Sequence, residues 1–318
     1  MKLKKILGML LAIGMLLSLA ACGSSGGTSD SEDVYRIGFA QRLGTDIFLK
    51  NLETEFCKLA ADDPTLEVIV ADANDDAQKQ IDQVNNFFAQ EVDCLILMPS
   101  NSENLIPSIQ QASEKGIPVY CLSQQASEGD FIYVGISDYA TGYEQGVYCH
   151  ENLPENAKVL YLGGNSGFKT SIDRKQGLLD GLDDRLKENG GDVEILSYME
   201  CMYTRDEGMK ITEDWIQAFD DFDAIVACSD QPGCGAIQAL KAANRTDGVM
   251  VISIDGLDDA LVEVQEGFMT MTVRQDPVIM SKTMYDVIKD TQAGKPPTED
   301  VICELVLVTS ENVDQFVK

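Results

Sequence analysis

The chain has 318 residues, 44% hydrophobic and 24% charged, and its 53 acidic against 24 basic residues give a formal net charge of −29. A surface that acidic repels nucleic-acid phosphates and anionic lipid, so nucleic acid is excluded as a partner. Aromatic residues are sparse, at 7% with the single Trp215, which argues against an aromatic-rich platform for polysaccharide.

Three lysines at positions 2, 4 and 5 lead into an apolar or small run over 6–21, broken only by Ser18. This is the charge, core and small-residue order of an export signal. The run is short for a membrane span, which needs about 20 strongly apolar residues. Its end, Leu19-Ala20-Ala21-Cys22, resembles the lipobox of bacterial lipoproteins. That resemblance implies a signal peptide over 1–21, a lipidated Cys22, and anchoring at the outer face of the cell membrane. An ordinary secretory signal with a chance cysteine, or an uncleaved anchor, is the alternative. Residues 22–33 then form a flexible Gly/Ser-rich linker.

The body alternates from there. Residues 34–40 read as a strand and 47–61 as a helix, with Phe48, Leu52, Phe56 and Leu59 at helical spacing. A strand over 66–71 and a helix over 75–90 follow. Strands at 94–98, 117–122 and 131–136 enclose a helix at 104–115 that Gly116 stops. The rhythm then restarts: helix 139–153, strand 158–162, helix 171–189, strand 193–198, helix 205–219, strand 224–228. Helix 232–244, with Pro232 near its start, leads to strand 249–255. Strand 269–273, helix 277–293 and strand 301–308 complete the chain. Two successive runs of this alternation predict α/β architecture, with parallel sheets covered by helices on both faces.

In open parallel sheets, ligands sit beyond the carboxyl ends of the strands. The loops there carry amides, hydroxyls, carboxylates and a few arginines, an inventory suited to a polar, polyhydroxylated ligand. Catalytic sets do poorly. The only histidine, His150, lies in a helix beside Cys149, which leaves no nucleophile–base pair for an exported hydrolase. The run 163–170, GGNSGFKT, misses the phosphate-loop pattern because Phe168 stands where glycine is needed before Lys169-Thr170. It reads as a strand-to-helix turn. Asp72, Asp75 and Asp76 do not match a calcium loop, and Asp75 reads as a helix cap. Cys57, Cys94, Cys121, Cys149, Cys201, Cys228, Cys234 and Cys303 show no zinc spacing and read as mostly free core thiols. No catalytic residue, metal or cofactor is expected.

The body also resembles the type I periplasmic solute-binding proteins of ABC transporters, in their ribose- and galactose-binding branch. The stretches that carry this are Ile37-Gly38-Phe39 with the loop to Phe48, the run DCLILMP over 93–99, and Lys115-Gly116-Ile117-Pro118-Val119. Ser171 with Arg174 and Gly177, Ala227-Cys228-Ser229-Asp230, Ile254-Asp255-Gly256 and Gln275-Asp276-Pro277 complete the set. The resemblance implies two Rossmann-like lobes with parallel sheets, joined by a three-crossover hinge near Ser137, Asp276 and Leu307. The first lobe is then 34–137 plus 276–306, and the second 138–275 plus 307–318. It further implies a monomeric receptor that closes on a small sugar or sugar-like ligand and delivers it to an ABC transporter permease. A sensor presenting its ligand to a membrane kinase or chemoreceptor is the alternative. The export signal sets aside a transcription regulator of the same fold.

By the same resemblance, Phe48 packs against a sugar face and Tyr203 holds a second aromatic position. Arg174 is a ligand-binding arginine, Asp255 accepts ligand hydroxyls and Gln275 is the hinge-side amide. Ser229 takes a position often held by Asn, with Asp230 beside it, and Gln124 is expected to join them from the first lobe. The family's Asp-Arg pair is here Ser123-Gln124. The expected ligand therefore differs from ribose or galactose: a less hydroxylated sugar, a polyol, or a non-sugar such as a nucleobase derivative. Arg42 and Arg174 leave room for an anionic group.

Overall fold

The computed structural model describes residues 34–189 and 193–317, without the side chains of 184–189. The export signal, Cys22 and the linker lie outside the described residues. Among the described residues, no helix is long and apolar enough to cross a membrane.

The first lobe runs β1 (Tyr35–Gln41), α1 (Ile47–Ala61), β2 (Leu66–Asp72), α2 (Ala77–Ala89), β3 (Cys94–Leu97), α3 (Ile106–Lys115), β4 (Val119–Leu122) and β5 (Ile132–Gly135). The second runs α4 (Asp138–Asn152), β6 (Ala157–Gly163), α5 (Lys169–Asn189), β7 (Val193–Glu200), α6 (Arg205–Ala218), β8 (Ala224–Ala227), α7 (Asp230–Ala243), β9 (Met250–Asp255), α8 (Asp258–Gln265) and β10 (Met271–Arg274). Helix α9 (Pro277–Gln292), β11 (Val301–Ile302), β12 (Val306–Thr309) and a short 3-10 turn (Val313–Gln315) follow.

The strands form two six-stranded sheets, ordered β11-β5-β4-β3-β1-β2 and β12-β10-β9-β8-β6-β7. All pairings are parallel except β10 with β12. The central strands CLIL and VYCL are buried at every residue, because helices cover both faces and no solvent side remains to alternate with. Local side chains cap the first turn of several helices. Asp46 accepts from Leu49 N at 3.0 Å and Asp76 from Lys79 N at 3.0 Å. Gly116, at φ +70°, ends α3 in the left-handed conformation that costs glycine least.

Helix α9 packs on the first lobe. Its Met280, Met284, Val287 and Ile288 join Phe48, Leu52 and Phe56 in one apolar core. The run 301–308, expected as one strand, is divided instead: Val301–Ile302 pairs with β5 in one sheet and Val306–Thr309 with β10 in the other. Glu304 sits in the break, and the third connection lies at 303–305 rather than at Leu307. Helix α8 was not expected. The cap on α2 is Asp76, not Asp75, whose carboxylate is engaged elsewhere. The eight described cysteines are thiols, and burial pushes those of Cys121 and Cys149 up to about 12, so they stay protonated and inert.

Candidate functional site

Both sheets repeat one order, 2-1-3-4-5 in the first lobe and 7-6-8-9-10 in the second. In such sheets a crevice opens where the order reverses, at the carboxyl ends of the strands. Here that places the loops after β1, β4, β6, β7, β8, β9 and β10 around one cavity of about 210 Å³, with Arg42, Asp46, Phe48, Gln124, Arg174, Tyr203, Ser229, Asp255 and Gln275 in its wall. A larger groove of about 420 Å³ beside α8 and α9 shares Asp255 but gathers fewer convergent donors. Three wall residues, Ser123, Tyr203 and Asp255, have φ of 64°, 59° and 132°. Such backbone costs of order 1–3 kcal/mol each and persists only where the surroundings over-determine it.

Seven of the eight expected ligand-binding residues therefore meet at one place, and the exception is Asp230. Its carboxylate accepts from Ser253 Oγ, from Thr272 Oγ1 at 2.8 Å and from Leu257 N at 2.7 Å. It is wholly buried and braces β9, β10 and the start of α8 from behind the cleft. Arg174, 4% exposed, donates from Nε to Asp138 at 2.9 Å and from a terminal nitrogen to the Cys228 carbonyl at 2.7 Å. Tyr203 and Ser171 share a 2.5 Å hydrogen bond between hydroxyls. Gln275 Nε2 donates to Asp255 at 2.5 Å. The Ser229 hydroxyl is buried without a partner in the protein. Gln124 lines the cavity, but both ends of its amide are engaged. In the orientation that satisfies them, the nitrogen donates to Pro99 O at 3.1 Å and the oxygen accepts from Arg42 at 2.9 Å.

Arg42 is the residue that sequence reasoning did not place in the binding set. It is the largest fully buried side chain, at 1% exposure. Its Nε donates to Asp75 at 2.8 Å, and its guanidinium lies 4.1 Å over the Phe168 ring and 5.8 Å from the Tyr203 ring. A signal for the ion pair existed. Gln41 and Asp72 are register partners on β1 and β2, so Arg42 and Asp75 leave neighbouring strand ends together.

Every arginine in the wall has a carboxylate: Arg42 with Asp75, Arg174 with Asp138, Arg205 with Asp259. An anionic ligand would have to compete with these carboxylates, and the Arg174–Asp138 pair is buried on both sides.

Asp255 and Asp230 lie beside each other, the Asp230 amide facing Asp255 Oδ2 at 3.4 Å. Burial pushes the Asp230 carboxyl up to about 7, and burial followed by the Asp230 charge pushes Asp255 up as well. A carboxyl raised in the folded state holds a proton that the unfolded chain, with a value of about 3.9, releases. Its stabilising contribution is complete below that value and is lost as pH rises through the folded one. Between about pH 4 and pH 7, the wild type is therefore expected to lose more unfolding free energy than Asp255→Asn, which removes the repulsion. Urea midpoints of both proteins across that window check this, and equal slopes would contradict it.

The sequence matches the family model for the periplasmic binding protein domain over residues 37–296. A xylitol-binding protein of Mycolicibacterium smegmatis is 28% identical over 317 residues, spanning 99% of this chain and 88% of its own length. A ribose import binding protein of Bacillus subtilis is 25% identical over 320 residues, spanning 97% of this chain and all of its own. Among solved structures, an ABC transporter solute-binding protein of Bacillus halodurans with bound myo-inositol is 27% identical, with a TM-score of 0.82 over 90% of this chain and 98% of that one.

Proposed function

Because the chain belongs to the periplasmic binding protein family, we propose that it is an extracytoplasmic receptor for one neutral, polyhydroxylated small molecule. The ligand is a monosaccharide or a polyol of similar size, trapped between the lobes and handed to an ABC transporter permease. The observation that carries this is Ser229, a residue of the cavity wall whose buried hydroxyl has no partner in the protein. A group left so costs about 1–3 kcal/mol until it is satisfied. Around it, Phe48 and Tyr203 offer apolar faces, and Arg174, Asp255 and Gln275 offer directed donors and acceptors. The neutralised arginines favour an uncharged ligand. The names of the relatives, xylitol-binding and ribose import binding, support the same class. Cys22, lipidated, tethers the body through residues 23–33, which reach at most about 36–40 Å.

A thermal-shift series with D-ribose, D-fructose, xylitol, myo-inositol and their phosphorylated counterparts tests the ligand class. A neutral member at 100 times its dissociation constant adds about 2.7 kcal/mol of stability. No shift with any neutral member, or a shift only with phosphates, would remove the reading. Loss of the full chain from the membrane fraction on Cys22→Ser tests the tether, and its retention there would count against it.

A further inference from the structure

The turn at 163–170 has no assigned role in binding, yet it meets the first lobe at three points. Ser102, in the loop after β3, donates its amide to the Gly167 carbonyl at 3.3 Å, and its hydroxyl accepts from the Lys169 amide at 2.7 Å. Between the same loops, the Arg42 guanidinium of the first lobe lies over the Phe168 ring of the second, 4.1 Å from its centroid. Arg42 is held there from its own side by Asp75 and Gln124. Phe168 is itself 7% exposed, so the stack is sheltered from water, where a cation over an aromatic face is strongest. A guanidinium suits this because it is planar and weakly hydrated, and so can stack and donate in-plane at once.

We propose that Arg42 and Phe168, backed by Ser102, form an interlobe latch that holds the cleft closed through protein contacts alone. Opening exposes the Phe168 and Tyr203 rings and strips Arg42 of its stacking partner. A desolvated cation–π contact biases that equilibrium toward closure by about 30-fold. A ligand then has less closure to drive, because apparent affinity is reduced by the fraction of protein that is not competent to bind. Release requires the latch to be broken, which assigns the permease a specific contact to disrupt.

The test needs no ligand and is therefore independent of the proposed ligand class. Hydrogen exchange of the ligand-free full chain is followed at the Ser102 and Lys169 amides in wild type, Arg42→Ala, Phe168→Leu and the double variant. Each single variant is expected to speed exchange at both amides about 30-fold, including the amide on the unmutated lobe. The double variant is expected to add nothing, since either substitution alone empties the stack. Amides in β3 and β8 keep their wild-type rates. Wild-type exchange at Ser102 and Lys169 in the single variants, additive acceleration in the double, or acceleration spread through β3 and β8 would each overturn the latch.

Discussion

Replacing Arg174 by alanine is expected to lower the unfolding free energy by about 3–5 kcal/mol, a larger effect than a surface binding residue would have. The reason is the carboxylate it leaves behind. Asp138 is buried at the first turn of α4, and burial already pushes its carboxyl up against the pull of Arg174. Removing the guanidinium strands that charge and also frees the Cys228 carbonyl. Urea unfolding of three proteins separates these contributions. Arg174→Ala is expected to fall furthest. Arg174→Met with Asp138→Asn is expected to recover much of the loss, since breaking a buried pair is worse than replacing both partners. A double variant no more stable than the single would show that the pair is not the cause. Ligand affinity is expected to be lost in both, because Arg174 also lines the cavity.

Arg174 was legible because it sits in a local pattern: a helix start after a strand, with Ser171 before it and Gly177 after. The strand–helix alternation was legible for a related reason. A fully buried parallel strand must be apolar throughout, so runs such as Leu95-Ile96-Leu97 announce themselves. What failed had no local signature. The run 301–308 is apolar enough for one strand, but hydropathy does not say which sheet a residue joins, and the break at Glu304 carries the chain across the hinge. Helix α8 opens on Asp258-Asp259 and lasts only eight residues, too short for its period to stand out. Asp230 was drawn into the site by its neighbour Ser229, although Ser229 is the N-cap of α7 and Asp230 its first residue, so the two side chains point different ways. Arg42 was read only as leaving room for an anionic group. Its burial depends on Asp75, 33 residues on, and on a ring from the other lobe. Phe168 was read as the flaw in a phosphate loop, when the aromatic ring is what that turn contributes.

Gly142→Ala is expected to be the other severe substitution, and it reaches the site through packing alone. Helices α4 and α5 each carry glycines four apart, Gly142 with Gly146 and Gly177 with Gly181, which places each pair on one face. An added β-carbon at Gly142 would stand 1.9 Å from the Arg174 carbonyl oxygen, and one at Gly177 would stand 2.1 Å from the Tyr139 oxygen. These are backbone atoms, so no side chain can turn away, and the helices must separate. Overpacking of this kind costs typically 1–3 kcal/mol and sometimes more. Alanine's better helix propensity returns at most about 1 kcal/mol. A net loss of about 2 kcal/mol is expected, together with weaker ligand binding, because the displaced turn of α5 carries Arg174 itself. Gly116→Ala is the control. Its β-carbon meets nothing within 4 Å, and its φ of +70° alone sets the penalty, which is about 1 kcal/mol. It lies at the far end of α3, so affinity is expected to hold. Urea midpoints and ligand-induced thermal shifts on the two variants decide the matter. If Gly142→Ala binds as the wild type does, the glycine face of α4 does not position Arg174, and the site's second-lobe geometry must be set by the Asp138 pair alone.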